Sequence, residues 1–383
     1  MNIFEEISSG TFDSVKEILE KYRPDFPICC LRPKQIENNA RKFIDIFPGK
    51  VLYAVKCNPH ADVLDACVAG GVRDFDVASL GEVELIRGRY SSAKIYFQHP
   101  IKARSAIRRS YQFYGVRHFA VDHPTELSKI TEEIDKSDNV TIFVRLATPP
   151  GGAGEHLSDK FGASIKMGVS LLSEIYENGF NPAISFHVGS QCYDPSAFHT
   201  ALSLVGETLE QSKVEITALD VGGGFPASYP KMETPTLYRY MKVIKDGVAA
   251  LNLSTDTEVL CEPGRTLVAD GMSVVVQVQL RRNESLYIND GVFGNFAESL
   301  LNQFELTAAV LRLDDDCSPE LAPFTIYGPT CDSHDRLPMV VYLCRDVREG
   351  DWIEFSNLGA YSNAMATTFN GFFPGIFLSI GNG

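Results

Sequence analysis

VLYAVKCNPH, residues 51 to 60, is a short apolar run that ends in a lysine. Val51 to Val55 has the β-branched and aromatic character of a buried strand, and Pro59 closes it. A lysine directly on such a strand is costly, because a buried ammonium loses its hydration. Two readings stand. Lys56 snorkels out at the strand's end, or it is a lysine that forms a Schiff base.

Working outward, seven more strand-like runs follow: DFDVAS (74–79), KIYFQH (94–99), RHFAVD (117–122), VTIFVRL (140–146), AISFHV (183–188), ITALDV (216–221) and EVLCE (258–262). Helix-like segments such as ADVLDACVAG, LGEVELIRG and TELSKITEEI lie between them. Strands that alternate with helices are parallel strands joined by crossovers. Eight of them point to a (β/α)8 barrel over about 33–266 rather than an open doubly wound sheet. After Arg265 the texture changes. MSVVVQVQL, SLYIND, ELTAAVLRL, FTIYG, MVVYL and WIEFS are short, with Gly, Pro, Asp and Asn between them. Residues 267–383 therefore read as an all-β domain. The strand-like PICCLRP (27–33) lets residues 1–32 join it.

The chain has 383 residues, enough for two domains, and a net charge of −14. That charge argues against nucleic acid as a partner and mildly favours cationic small molecules. The nine cysteines are scattered without a CxxC pair, so neither a zinc ribbon nor a thioredoxin motif is present. MNIFEEISSG has neither a basic nor an apolar leader segment, so no signal peptide is expected. No apolar run is long enough for a transmembrane helix, and no membrane partner is expected. A reducing cytoplasm is the expected location. No histidine pair has metal-ligand spacing with a third ligand, so no metal is expected. His60, His99, His118, His123, His156, His199 and His334 read as structural or surface residues.

Active sites of such barrels lie at the C-terminal ends of the strands, where the unusual residues of this chain collect. Lys56 ends the first strand. Asp76 and Ser79 lie near the end of the second. His99, Asp122 and Arg145 follow at the third, fourth and fifth. His187 ends the sixth, Gly222-Gly223-Gly224 follows the seventh, and Glu262 ends the eighth. So many at one rim favours a site that holds a ligand. DVGGGFP (220–226) is not a dinucleotide fingerprint, but three glycines free the backbone to form an N–H concavity for an anion. EPGR (262–265) adds a second glycine loop, with Arg265 able to hold a phosphate bidentately. A carboxylate beside a phosphate site is awkward, yet Glu262 suits a protonated heterocycle nitrogen. A Schiff-base lysine, a phosphate cradle and a carboxylate for a pyridinium together describe pyridoxal 5′-phosphate (PLP).

At this point YAVKCNP, FDVASLGE, SFHVGSQC, DVGGGFP, EPGR, GPTCDSHD and GAYSNAMATTFNGF, in order from Tyr53 to Phe372, resemble the fold-type III PLP decarboxylases. The similarity is greatest to the ornithine-, lysine- and arginine-acting branch. The resemblance implies an alanine racemase-like fold: a (β/α)8 barrel with a C-terminal β-sandwich or β-barrel domain. It implies that Lys56 forms the Schiff base, that His187 stacks on the pyridine ring and that Glu262 pairs with the ring nitrogen. Ser190, Gly222, Gly223, Gly224, Gly264 and Arg265 would bind phosphate with help from Tyr361, which also borders the substrate. Asp76 and Arg145 would support the lysine and cofactor. Cys331 and Asp332 would reach in from the partner subunit of a homodimer. Cys331 would return a proton to the α-carbon after loss of CO2, a task suited to a thiol.

The implied reaction is decarboxylation of a basic L-amino acid: L-ornithine to putrescine in polyamine biosynthesis, with L-lysine to cadaverine second. Asp332 would pair with the distal ammonium. Diaminopimelate or a modified diamino acid of specialised metabolism is the alternative, followed by an amino-acid racemase or an inactive regulatory homologue. The Asp after Cys331 and the TTFNGF block lean away from diaminopimelate. One departure concerns specificity. Leu301-Asn302 stands where the ornithine enzymes carry an aromatic–Asp pair, so the distal amine loses a charge, and Asn302 offers only a neutral hydrogen bond. Phe293 stands where tyrosine is common. Glu298, on the same segment, could compensate.

Overall fold

The structure is a computed structural model and describes residues 12–135, 139–149, 153–155, 160–302 and 304–381; His156 lies outside them. Eight parallel strands close into a barrel: Lys50–Ala54, Asp74–Val77, Lys94–Phe97, His118–Val121, Thr141–Leu146, Asn181–Phe186, Ala218–Asp220 and Glu258–Cys261. Each of the eight apolar runs supplies one strand. The barrel closes where Cys261 pairs with Val51.

Side-chain alternation sorts the residues. Leu52, Tyr96, Ala120, Phe143, Ala183, Ala218 and Leu260 form one buried cluster inside the barrel. Val51 and Tyr53, on either side of Leu52, join the larger cluster between strands and helices. Each such Leu or Phe contributes about 1.5–3 kcal/mol by leaving water. Helices start where a side chain satisfies their free N–H groups. Ser79 Oγ accepts the Glu82 N–H at 3.2 Å and His60 Nδ1 accepts that of Asp62 at 3.4 Å. Ser79, read from sequence as a rim residue, is thus the cap of the helix Leu80–Arg89.

The second β-structure is one connected eight-stranded sheet, the form that the sandwich-or-barrel expectation takes here. Its spine, Met272–Arg282, pairs antiparallel with Ile28–Leu31, Ser285–Ile288 and Trp352–Phe355. Ile28–Leu31 also lies parallel to Ile376–Ser379. A helix that the sequence reading lacked, Val15–Tyr22, packs Val15, Ile18 and Leu19 on this sheet. Its apolar stripe is only two turns long, too short for a clear periodic signal.

The sheet and barrel are tied together beside Lys56. The Tyr361 N–H donates to the Cys57 carbonyl at 2.9 Å. The Asn58 side-chain amide donates to the Gly359 carbonyl at 2.9 Å, and that of Asn363 to Asn58 Oδ1 at 3.0 Å. The far end of the chain therefore forms one wall of the barrel mouth.

Candidate active site

The first barrel strand stops at Ala54, and Val55–Cys57 forms a 3-10 turn. Lys56 is therefore not on the strand, as the sequence suggested. The turn carries it into a cavity of about 250 Å³ at the C-terminal mouth of the barrel. There its side chain is 41% exposed, which relieves the burial penalty expected on a strand. Lys56 Nζ donates to Asp76 Oδ2 at 3.0 Å. Asp76 is buried on the second strand, beside Ala54 in register. Desolvation alone would lower the lysine's pKa; the charge of Asp76, then those of Glu262 and Tyr361, more than offset it and raise it.

Part of the cavity is acidic. Glu262 follows the eighth strand and is 8% exposed. Burial, then Asp220 and Asp76, push its carboxyl well above the usual range. Asp220, fully buried on the seventh strand, is pushed up to about 7 by burial. Its Oδ1 accepts the Gly222 N–H at 2.8 Å, and its Oδ2 accepts from the Gln98 amide at 3.2 Å. Asp220 also hydrogen-bonds Glu262. A carboxyl pair this buried keeps a proton, which suits Glu262 to a basic heterocycle nitrogen. His187, also in the cavity, is kept neutral: burial, then Arg145 and Lys56, hold its pKa well below normal. Its Nδ1 accepts the Gly189 N–H at 3.0 Å, leaving the ring a flat, uncharged face.

Another part of the cavity is built for an anion. Arg265 Nη1 donates to Tyr229 Oη at 2.9 Å, and Nη2 donates to Ser190 Oγ at 3.3 Å. Both nitrogens also bond the Glu298 carboxylate. The Nε of Arg265 is buried without a hydrogen-bond partner. Gly224 has φ +97°, and a Cβ there would stand 2.4 Å from the Gly189 carbonyl oxygen. A Cβ on Gly264 would stand 2.8 Å from that of Cys57, so the EPGR loop lies directly on the lysine turn. Gly224 and Gly264 line the cavity; Gly222 and Gly223 are not among its lining residues. Gln191 and Tyr361 both line the cavity with positive φ (53° and 54°). Such strain concentrates where the surrounding fold holds a functional conformation.

Of the residues singled out by sequence, the cavity joins Lys56, Asp76, Arg145, His187, Ser190, Gly224, Glu262, Gly264, Arg265, Asn302 and Tyr361. It also includes His99, which the sequence reading left as structural. Asp122 stays outside and accepts the Gly162 N–H at 2.9 Å. Cys331 and Asp332 are not in this chain's own cavity. Cys331 is exposed, its Sγ 3.1 Å from Asn370 Oδ1, and Asp332 accepts from the backbone N–H of His334 at 2.8 Å. Around them Phe369, Phe372 and Phe373 are 43%, 42% and 56% exposed. The Phe293 ring lies 5.0 Å from that of Phe369 at a tilt of 42°, and its carbonyl accepts from Thr367, so it shapes this segment. The sequence reading missed Gln98, Phe161, Met365 and Asp220. Only Asp220 had a signal, an acid inside the apolar run ITALDV.

The family model for pyridoxal-dependent decarboxylases, pyridoxal binding domain, matches residues 33–269, and the model for their C-terminal sheet domain matches residues 240–359. A decarboxylase of Aspergillus flavus is 32% identical over 374 residues, covering 90% of this chain and 84% of that one. The ornithine decarboxylase of Mus musculus is 31% identical over 347 residues, covering 84% and 73%. The crystal structure of lysine/ornithine decarboxylase from Vibrio vulnificus, complexed with putrescine, matches with a TM-score of 0.83 at 28% identity, covering 96% and 97%. The chain belongs to the pyridoxal-dependent decarboxylase family. It is a PLP-dependent amino-acid decarboxylase.

The residues present fit that cofactor. The orphaned Arg265 Nε and the space kept free by Gly224 and Gly264 suit a phosphate. The proton-holding carboxyl of Glu262 suits the ring nitrogen, and Lys56 suits the carbonyl carbon.

Proposed function

We propose that the protein decarboxylates L-ornithine to putrescine, in polyamine biosynthesis, and accepts L-lysine, giving cadaverine. The observation that carries this reading is the cavity that joins Lys56, paired with Asp76, to Glu262 and Arg265. PLP, when bound, supplies an electron sink for the pair of electrons left as the Cα–carboxyl bond breaks and CO2 departs. Lys56 would anchor the cofactor through Nζ and yield its place to the substrate amine. Arg265, Ser190, Gly264 and the Gly224 region would hold the phosphate, with Tyr361 over the guanidinium. Glu262 would stabilise a proton on the ring nitrogen, and neutral His187 would cover the ring face without adding a competing cation. Arg145 would orient Asp76 and Glu262 by charge.

The proton that replaces CO2 must reach the α-carbon, and in this reading Cys331 of a second copy supplies it. Asp332 of the same copy would meet the distal ammonium. Support comes from the exposed aromatic patch around Cys331, an apolar surface suited to a symmetric contact. A cytoplasmic setting agrees with nine free cysteines among the described residues. The neutral Asn302 favours one second reading, a modified diamino acid as substrate.

The test is CO2 release by purified, PLP-loaded protein across L-ornithine, L-lysine, L-arginine, meso-diaminopimelate and their D-forms. Turnover of ornithine or lysine, abolished in Lys56→Ala, is the expected result. Visible cofactor absorbance without CO2 from any of them rejects these substrates and selects the second reading.

A further inference from the structure

Glu298 is the acid in the cavity that the reaction has not used. It sits in the 3-10 turn Ala297–Leu300, on the segment that also places Leu301 and Asn302 at the cavity. Its side chain is 11% exposed. Its carboxylate bonds both Nη atoms of Arg265, and the Asn302 amide donates to its Oε1 at 3.3 Å. Glu298 is not the only partner of Arg265. Arg265 already has Tyr229 and Ser190, and its guanidinium lies over the rings of Phe304 and Tyr361, 5.2 and 5.0 Å from their centres.

For phosphate binding the acid is unfavourable. A phosphate group carries about −1.5 to −2 near neutral pH. Shared between that anion and Glu298, the single positive charge of Arg265 leaves an excess of negative charge. The other cations of the cavity are drawn to other carboxylates. Lys56 is held by Asp76 at 3.0 Å, and the attractions on Arg145 come first from Glu262 and Asp76. A ligand cation beside Glu298 restores the balance.

We propose that Glu298 is a specificity-determining residue that binds the distal cation of the substrate, an ammonium or guanidinium, and thereby couples substrate recognition to the phosphate-holding Arg265. The proposal rests on the decarboxylase reading and assigns within it the charge that Leu301-Asn302 lacks. Arg265 Nε remains for the phosphate, so Glu298 need not leave the arginine. Asn302, whose amide N–H points to Glu298, keeps its carbonyl oxygen as a neutral second acceptor. The charge-assisted bond to Glu298 is the stronger of the two.

The experiment compares 1,4-diaminobutane with n-butylamine on holoenzyme by titration calorimetry. Wild type should prefer the diamine by about tenfold or more, and Glu298→Gln should reduce that preference to about threefold or less. Affinity for n-butylamine should not change, and PLP should dialyse out of E298Q more slowly, because a charge repelling its phosphate is gone. A full diamine preference retained in E298Q overturns the proposal. So does equal weakening of both amines with faster PLP loss, which would make Glu298 a prop for Arg265. If E298Q does not fold, Glu298→Asp keeps the charge but withdraws it by one methylene, and an undiminished preference there overturns the proposal as well. Binding of neither amine to wild-type holoenzyme would reject the proposed ornithine and lysine specificity, and this proposal with it.

Discussion

At the scale of single residues, the site is a set of charges whose protonation is decided by neighbours. Asp220 shows the consequence most directly. In the folded chain it keeps its proton up to about 7, whereas an unfolded aspartate releases it near ~3.9. Between those pH values the folded state binds more protons, so stability falls as pH rises through that window. Urea unfolding of the cofactor-free protein should therefore show a higher midpoint at pH 5 than at pH 7. Asp220→Asn, which cannot ionise, should flatten that slope; an unchanged slope would mean the pair is already ionised in the folded state. Lys56 shows the opposite balance. Its charge is kept by Asp76 despite desolvation, so it waits in the cavity as a cation held in one orientation.

At the scale of elements, two tight contacts decide where Lys56 points. The 3-10 turn Val55–Cys57 is trapped between the EPGR loop and the segment Gly359–Asn363. Gly264→Ala brings a Cβ to 2.8 Å from that of Cys57. Overpacking of this kind costs about 1–3 kcal/mol, and the turn that must shift carries the cofactor lysine. The variant should melt earlier and retain PLP less well. Gly88→Ala is the matched control: nothing lies within 4 Å of its would-be Cβ, and it sits inside the helix Leu80–Arg89. Alanine there should stabilise by about 0.5–1 kcal/mol and leave PLP retention alone. Equal behaviour of the two variants in thermal melts would refute the contact argument.

At the scale of the whole molecule, the cavity of one chain lacks Cys331 and Asp332, which lie on its surface beside exposed Phe369, Phe372 and Phe373. If two copies complete each other's sites, inactive variants should complement. Lys56→Ala and Cys331→Ala, each inactive or nearly so, are mixed in equal amounts and allowed to exchange subunits. Half of the dimers are then mixed and one of their two sites carries both native residues, so CO2 release should recover to about 25% of wild type. No recovery, with exchange confirmed by light scattering and labelled subunits, would reject the shared dimer.

How much could be read before folding differs by kind of residue. The eight barrel strands were legible because each is a short β-branched and aromatic run separated by a helix, and Ile28–Leu31 because it carries the same character ahead of the barrel. The helix Val15–Tyr22 was not, being too short for its period to show. Lys56, Glu262 and Arg265 were legible as charges at strand ends, where nothing in the core calls for them. The amino-acid sequence by itself determined the strand order, the barrel and the chemistry gathered at its rim, since apolar period and residue type act locally. Only the tertiary structure decided that Lys56 leaves its strand on a turn, that Asp220 shares its burial with Glu262, and that Glu298 closes on Arg265. Those outcomes depend on charges and backbones brought together from distant parts of the chain, where desolvation and mutual field, rather than local propensity, set the result.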